Sequence, residues 1–267
     1  MFQRIRGHSA AVFIPLGAKQ FTGGEIMQKL FTDYDGISEK IYLNEEQSRH
    51  IARSLRMKKG DMITVCTGDG SDYGCIIDDI DKDGVVLSVC YKQASESEPD
   101  IKVSLYQGVP KGDKLEDVIQ KCTELGVYEI IPVLTKRCVS RPQEKQAEKK
   151  RQRYNKIALE AAQQSGRGIV PEVKKMTDFK TAVKECDADI KIVFYEGGGL
   201  PLTDIIKKGA KSTAVFIGPE GGFKKEEVEF LKENGATAAT LGKRILRTQT
   251  APAAALAAIM LLTGNLE

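Results

Sequence analysis

Val215-Phe216-Ile217-Gly218-Pro219-Glu220-Gly221-Gly222-Phe223 lies within the second half of the chain. Three apolar residues run straight into a glycine-rich turn, and the charged pattern KKEEVEFLKENG follows. A short continuous apolar run bounded by turn residues is the pattern of a strand buried on both faces, as in a parallel sheet covered by helices. Gly218, Gly221 and Gly222 carry no Cβ, so a ligand can lie directly against their backbone N–H groups. In open α/β sheets ligands bind beyond the carboxyl ends of the strands. Pro219 and Glu220 complete the loop, and a lone acid between proline and glycine fits a ligand loop. The same residues would also serve an ordinary tight strand-to-helix turn. The spacing matches neither the dinucleotide fingerprint nor the P-loop.

The second half of the chain alternates strand and helix. Strands are expected at Val103–Tyr106, Ile130–Leu134, Ile190–Tyr195, Val215–Gly218 and around Thr237–Leu241. Strands separated by helices imply a parallel sheet with right-handed crossovers. Asp113, with Glu116 three residues on, predicts a capped helix start. Leu115, Val118, Ile119, Cys122 and Leu125 mark that helix's buried face, and Gly126 ends it. Tyr195-Glu196-Gly197-Gly198-Gly199 closes one strand in a second glycine loop. Leu241-Gly242, followed by Ile245, Leu246 and Arg247, makes a third. Thr250 is the expected N-cap of an alanine-rich helix with Pro252 in its first turn, apolar on most sides and hence buried. The three loops can converge on one crevice.

Lys136 to Lys156 holds nine basic and two acidic residues, a local +7 in a chain whose total is only +3. Such clustering makes a phosphate-binding surface, or a long solvated helix. Gln163, Gln164, Ser165 and Arg167 follow at an apparent helix end, suited to bonding a ligand or to capping.

The first half reads differently. From Met27 to about Tyr91 a short strand Ile41–Leu43 precedes an Asn44–Gln47 capping box. The helix behind it is expected to turn Ile51, Ser54 and Leu55 inward and Arg49, Arg53 and Arg56 outward. Strands at Met62–Cys66, Cys75–Ile80 and Val85–Val89, joined by turn clusters, predict a small β-barrel. The basic helix edge is an RNA-facing surface or a plain solvated face. Gln93–Asp100 reads as a polar linker. Residues 1–26 have no sustained period and are expected to be a non-native or disordered extension. Thr22-Gly23-Gly24-Glu25-Ile26 is what a purine-rich ribosome-binding site encodes when read in frame, so the natural start is expected at Met27.

Composition bounds the rest. Hydrophobic content of 41% and charged content of 29% suit a globular chain long enough for two domains. The six cysteines form no CxxC pair and there are only two histidines, His8 and His50, so no metal site is expected. They read as buried thiols of a reducing, cytoplasmic compartment. The apolar run near the N-terminus is too short for a signal peptide and contains Pro15. The longest apolar run, near the C-terminus, is broken by Pro252, so no membrane span is expected.

Several ordered motifs carry a resemblance: HIARSLRMKKGD (50–61), KCTELGV (121–127), EAAQQSGR (160–167), FIGPEGGF (216–223) and LGKRILRTQTA (241–251). From Met27 onward the chain resembles the RsmE family of 16S ribosomal RNA methyltransferases, within the SPOUT superfamily. The resemblance implies an α/β fold: a PUA-like RNA-binding β-barrel over 27–97 and a SPOUT domain over 98–267, with a parallel sheet and a C-terminal trefoil knot. It implies methyl transfer from S-adenosyl-L-methionine to N3 of one uridine in 16S rRNA of the 30S subunit, by a homodimer. It implies cofactor contacts at Glu196, Gly197, Gly218, Pro219, Glu220, Gly221, Gly222, Leu241, Gly242, Ile245, Leu246 and Thr250. Arg167 and Arg247 are then the candidates to stabilise charge on uracil O2 and O4. Lys29, Arg49, Arg53, Arg56, Arg137, Arg141 and Gln164 are the candidate RNA contacts. The chain departs from the family's RTETA in having Gln249, and from its N-terminal RFF-like motif in having Lys29-Leu30-Phe31. The other readings are a non-catalytic rRNA-binding assembly factor, which Gln249 favours and the intact glycine loops oppose, and a SPOUT enzyme acting on tRNA.

Overall fold

The computed structural model of the chain describes residues 2–5, 12–15, 29–32, 39–68, 70–81, 84–139, 141–206 and 209–266. Two compact units emerge. The first comprises residues 1–98 together with 163–169; the second comprises 99–162 and 170–267. The small return segment 163–169 is a departure from the expected division, in which everything from residue 98 onward formed one domain.

In the first unit, β1 (Phe2–Ile5) pairs antiparallel with β2 (Val12–Pro15), in a segment where no element was expected. The rest of that segment, and with it the expected start at Met27, lies outside the described residues. β3 (Lys29–Phe31), β4 (Lys40–Tyr42), β5 (Met62–Cys66), β6 (Ser71–Ile80) and β7 (Val85–Ala94) form a five-stranded sheet in the order β3-β5-β6-β7-β4. Among the described residues no ladder joins β3 to β4. The sheet encloses a core of Ile41, Ile63, Val65, Cys75, Ile77 and Leu87. Helix α1 (Glu45–Arg49) covers it and starts in the expected capping box: Asn44 accepts from the Gln47 N–H, and Gln47 from that of Asn44. It then widens into a π turn over His50–Ser54, where the Leu55 N–H reaches back to the His50 carbonyl. The wider turn shifts the register, so Ile51 is buried but Ser54 is exposed, against expectation. β7 runs through Ala94, so the expected linker from Gln93 begins inside a strand.

The second unit is a sheet in which every ladder is parallel. Its elements are β8 (Lys102–Gly108), α2 (Lys114–Glu124), β9 (Glu129–Leu134), α3 (Glu144–Gln164), β10 (Glu172–Val173), β11 (Thr177–Asp178) and α4 (Phe179–Glu185). There follow β12 (Ile190–Phe194), α5 (Leu202–Ile205), β13 (Ser212–Ile217), α6 (Lys225–Glu233), β14 (Ala236–Ala239) and α7 (Thr250–Leu262). The strand order is β10-β9-β8-β13-β12-β14, with β11 also on β9. Thus the three strands that end in the expected ligand loops, β13, β12 and β14, are immediate neighbours. Val103, Leu105, Ile192 and Val215 meet Leu115, Val118, Ile119 and α7 in one core, and Phe216, Val193, Phe223 and Leu231 lie in another. Gly126, at φ +86°, ends α2 as expected, because only glycine takes that left-handed turn without strain.

Three local expectations fail. Asp113 precedes α2 but its side chain makes no cap bond. Thr250 is the first helical residue of α7 and Gln249 sits at the cap position. And α7 leaves Leu261 exposed, so it is buried along a stripe of Ala255, Leu256, Ile259 and Met260 rather than all round. No helix among the described residues is long and apolar enough to cross a membrane.

Candidate ligand crevice at three strand ends

A cavity of about 460 Å³ opens at the carboxyl ends of β12, β13 and β14. Small-molecule sites generally fall in the range of about 300–1,000 Å³. The end of β12 delivers Phe194, Tyr195 and Glu196; the end of β13 delivers Ile217, Gly218, Pro219, Glu220 and Gly222; β14 and the segment after it deliver Ala239 through Gln249. Lys114, in the first turn of α2, and Ala251 of α7 complete the wall.

The Gly218–Gly222 loop is shaped by close backbone approach. A Cβ at Gly218 would lie 2.8 Å from the Gly222 carbonyl carbon, and the Gly222 N–H closes the turn on the Pro219 carbonyl at 2.8 Å. Gly222 has φ +65°. Below the loop, Gly108 at the end of β8 lets Pro219 in: a Cβ there would meet Pro219 Cδ at 2.5 Å. Glu220 is at the surface but held in place. The Lys114 ammonium donates to it at 2.6 Å and the Lys111 N–H at 3.1 Å. Burial alone would raise the Glu220 carboxyl; the Lys114 ammonium and the backbone N–H groups outweigh that and hold its pKa below the ordinary value. Glu227, buried in α6, accepts from the N–H groups of Lys224 and Lys136, so it organises the loops rather than the cavity.

Of the expected cofactor residues, Glu196, Gly218, Pro219, Glu220, Gly222, Leu241, Gly242, Ile245 and Leu246 line the cavity, as does Arg247. Ile245 does so with its side chain largely in solvent, 86% exposed. Gly197, Gly221 and Thr250 lie outside the lining. Gly197 sits where a Cβ would strike the Tyr195 ring at 2.3 Å, and the Gly221 carbonyl accepts from the Arg137 guanidinium. Thr250 begins α7, its N–H bonded to the Arg247 carbonyl at 2.8 Å. Sequence reasoning passed over Lys114, Tyr195, Thr240, Lys243, Arg244 and Thr248. Lys243 and Arg244 stood within a quoted motif, and their charge beside Arg247 was the available signal.

Arg167 requires correction. It is not in the cavity wall; its guanidinium is only 4% exposed and is held by Glu98 at 2.6 Å, whose carboxylate also accepts from the N–H groups of Gly168 and Ile169. A buried guanidinium already bound to a carboxylate is not offered to a uracil. Lys29 is corrected for the same reason. With 12% of its side chain exposed, it bridges Asp72 at 2.8 Å and reaches Ser95 at 3.1 Å, so it meets a carboxylate where phosphate was expected. The remaining candidates stay at the surface: Arg49 paired with Glu45, Arg53 and Gln164 exposed, Arg56 exposed at φ +54°, and Arg141 bonded to the Thr135 carbonyl. Among the described residues no cluster of ligating side chains could hold a metal ion.

Residues 96–260 match the family model of an RNA methyltransferase domain, and residues 43–90 that of an RNA methyltransferase PUA domain. Ribosomal RNA small subunit methyltransferase E of Bacillus subtilis is 40% identical over 231 residues, covering 83% of this chain and 90% of that protein. The protein of the same name from Synechocystis is 30% identical over 228 residues, covering 84% and 73%. Among solved structures, the ribosomal RNA small subunit methyltransferase E of Neisseria gonorrhoeae bound to S-adenosyl methionine has a TM-score of 0.81 at 30% identity, covering 89% of this chain and 98% of that one. The chain therefore carries an RNA methyltransferase domain and belongs to the ribosomal RNA small subunit methyltransferase E family.

Proposed function

We propose that this protein methylates N3 of one uridine in the 16S rRNA of the small ribosomal subunit, using S-adenosyl-L-methionine. The observation that carries the reading is the meeting of the Glu196, Gly218 and Gly242 loops around one cavity. The residues present fit that cofactor. Bare backbone at Gly218 and Gly222 leaves room for a close ligand, Leu241 and Leu246 offer apolar contact, and Glu196 offers a carboxylate. When bound, the cofactor supplies a methyl group activated by its sulfonium. Glu196, Gly218, Pro219, Glu220, Gly222, Leu241, Gly242, Ile245 and Leu246 hold it, with Gly197, Gly221 and Thr250 supporting the loops from behind.

N3 lies on the pairing edge of uracil, so the target base must be unpaired or flipped into the cavity. Losing its proton leaves charge on O2 and O4. Arg247 stabilises that charge, a role supported by its exposure at the cavity wall. Catalysis is then mostly positioning and electrostatics. Arg49, Arg53, Arg56, Arg137, Arg141 and Gln164 contact the RNA, with residues 27–97 as a PUA-like RNA-binding barrel and 98–267 as the SPOUT domain. The C-terminal segment forms a trefoil knot, a reading supported by the family resemblance. The active form is a cytoplasmic homodimer.

The test is nucleoside mass spectrometry of small-subunit rRNA from cells with and without the gene. Loss of 3-methyluridine on deletion, restored by the wild-type chain and not by a chain altered in Gly218–Gly222, supports reaction and site together. An unchanged 3-methyluridine level refutes the assigned substrate, and calorimetry with S-adenosylmethionine then separates an enzyme with another RNA target from an RNA-binding assembly factor.

A further inference from the structure

We infer that Gln107, at the carboxyl end of β8, is a positioning residue for the cofactor cradle, acting through the Gly218 carbonyl and the Thr248 hydroxyl; the inference rests on the cofactor reading above. Gln107 is fully buried and lies outside the cavity wall. Its amide Nε2 donates to the Gly108 carbonyl at 2.9 Å, to Thr248 Oγ1 at 3.1 Å and, more weakly, to the Gly218 carbonyl at 3.3 Å. Thr248 in turn donates to the Gly218 carbonyl at 2.9 Å. The proton order is settled by chemistry: two of the three partners are carbonyls, which only accept, so the NH₂ end must face them. Gln107 then gives to Thr248, Thr248 gives to Gly218, and the chain of donors is of the kind that reinforces itself.

The consequence is that one side chain ties three segments: the end of β8, the loop after β13 and the segment before α7. Two of these form the cavity wall. The next residue acts on the same loop sterically, since Gly108 admits Pro219 only because it lacks a Cβ. Gln107-Gly108 is thus a seat for the Gly218–Gly222 loop. The arrangement has a cost. Gln107 Oε1 is buried and finds no hydrogen-bond partner among the described residues. A buried acceptor without a partner destabilises a fold, and an apolar side chain of similar length would avoid that penalty. An amide kept there at such a cost is explained by what its donor end orients.

Two variants test this, with wild type alongside: Gln107→Met, which removes the donor and the orphaned acceptor together, and Gln107→Glu. The readouts are S-adenosylmethionine affinity by calorimetry from about pH 5.5 to 8.5, KM against kcat in methyl transfer, and thermal midpoint. For Q107M the expected result is an affinity for S-adenosylmethionine weakened about three- to tenfold, the usual worth of one or two hydrogen bonds. Its KM for the cofactor rises likewise, while its kcat stays near wild type and its thermal midpoint is unchanged or higher. For Q107E the affinity becomes pH-dependent. A protonated carboxyl can donate as the amide does, whereas a buried carboxylate would face two carbonyls, so its pKa rises above the usual value of about 4.3 and binding weakens as pH rises. Wild-type affinity in Q107M together with a flat pH profile in Q107E overturns the role of Gln107. A wild-type chain that does not bind S-adenosylmethionine overturns the cofactor reading itself, and this inference with it.

Discussion

Replacing Gly218 by alanine is expected to damage cofactor binding more than replacing Gly222, although only Gly222 has a left-handed backbone. At Gly218 a Cβ would lie 2.8 and 2.9 Å from the carbonyl carbon and Cα of Gly222, and 3.0 Å from the Phe223 nitrogen. Comfortable contact between carbon atoms begins near 3.5 Å, so the two arms of the loop must part by about 0.6 Å. Nothing there can rotate aside. All three atoms are backbone, Phe223 is anchored in the core, and the Gly222 N–H is bonded to Pro219. Overpacking of this kind costs about 1–3 kcal/mol. If the widened loop loses that much in the bound state as well, affinity for S-adenosylmethionine falls about 5- to 150-fold. At Gly222 a Cβ would lie 3.5 Å from Glu196 Oε2, an ordinary contact. The penalty there is backbone strain at φ +65°, about 1–2 kcal/mol against stability, with less effect on the cavity's shape. Cofactor calorimetry and urea unfolding on both variants separate the two costs. Gly218→Ala with wild-type affinity, or a larger affinity loss in Gly222→Ala, would refute the steric reasoning.

Arg167→Met leaves the part-buried Glu98 beside two backbone donors but without its cation; the expected loss is about 2–3 kcal/mol in urea unfolding, below the range for a fully buried pair. Unchanged stability with reduced turnover would return Arg167 to the chemistry. Gln249 Nε2 donates to Asp117 at 2.9 Å, so Gln249→Glu replaces a hydrogen bond by two facing carboxylates. It should cost about 1 kcal/mol at neutral pH, and Asp117→Asn should restore the pairing; a neutral single variant would show that the contact contributes nothing. For Glu220 the folded pKa lies below the unfolded value of about 4.3. Its stabilisation is therefore complete above that pH and is lost as pH falls through the folded value. Lys114→Met should reduce this acid sensitivity, and identical acid unfolding curves for variant and wild type would remove the Lys114–Glu220 contact from the account.

What could be read directly was whatever depends on a residue and its near neighbours. The apolar run Val215–Ile217 ending in Gly218 is a buried parallel strand because that pattern suits few other places. The α2 face and its Gly126 stop followed from a 3.6-residue period and a left-handed turn. The Asn44–Gln47 capping box needed only three residues. That three glycine-bearing loops end neighbouring strands followed less directly, since strand order is set by crossovers and not by any local signal.

The errors share one cause. Arg167 and Lys29 have the charge to meet RNA, but Glu98 and Asp72, distant in sequence and adjacent in space, take them first. Asp113 and Thr250 have cap chemistry, yet Asp113 makes no cap bond and α7 begins at Thr250 itself. Gln107, 141 residues from Thr248 and 111 from Gly218, carries no local mark of its position beneath the loop. Periodicity and glycine placement, being short-range backbone preferences, determine the elements and the kind of crevice from the sequence alone. Which polar side chain meets which partner is a competition among groups brought together only by folding, and that the tertiary structure alone decides.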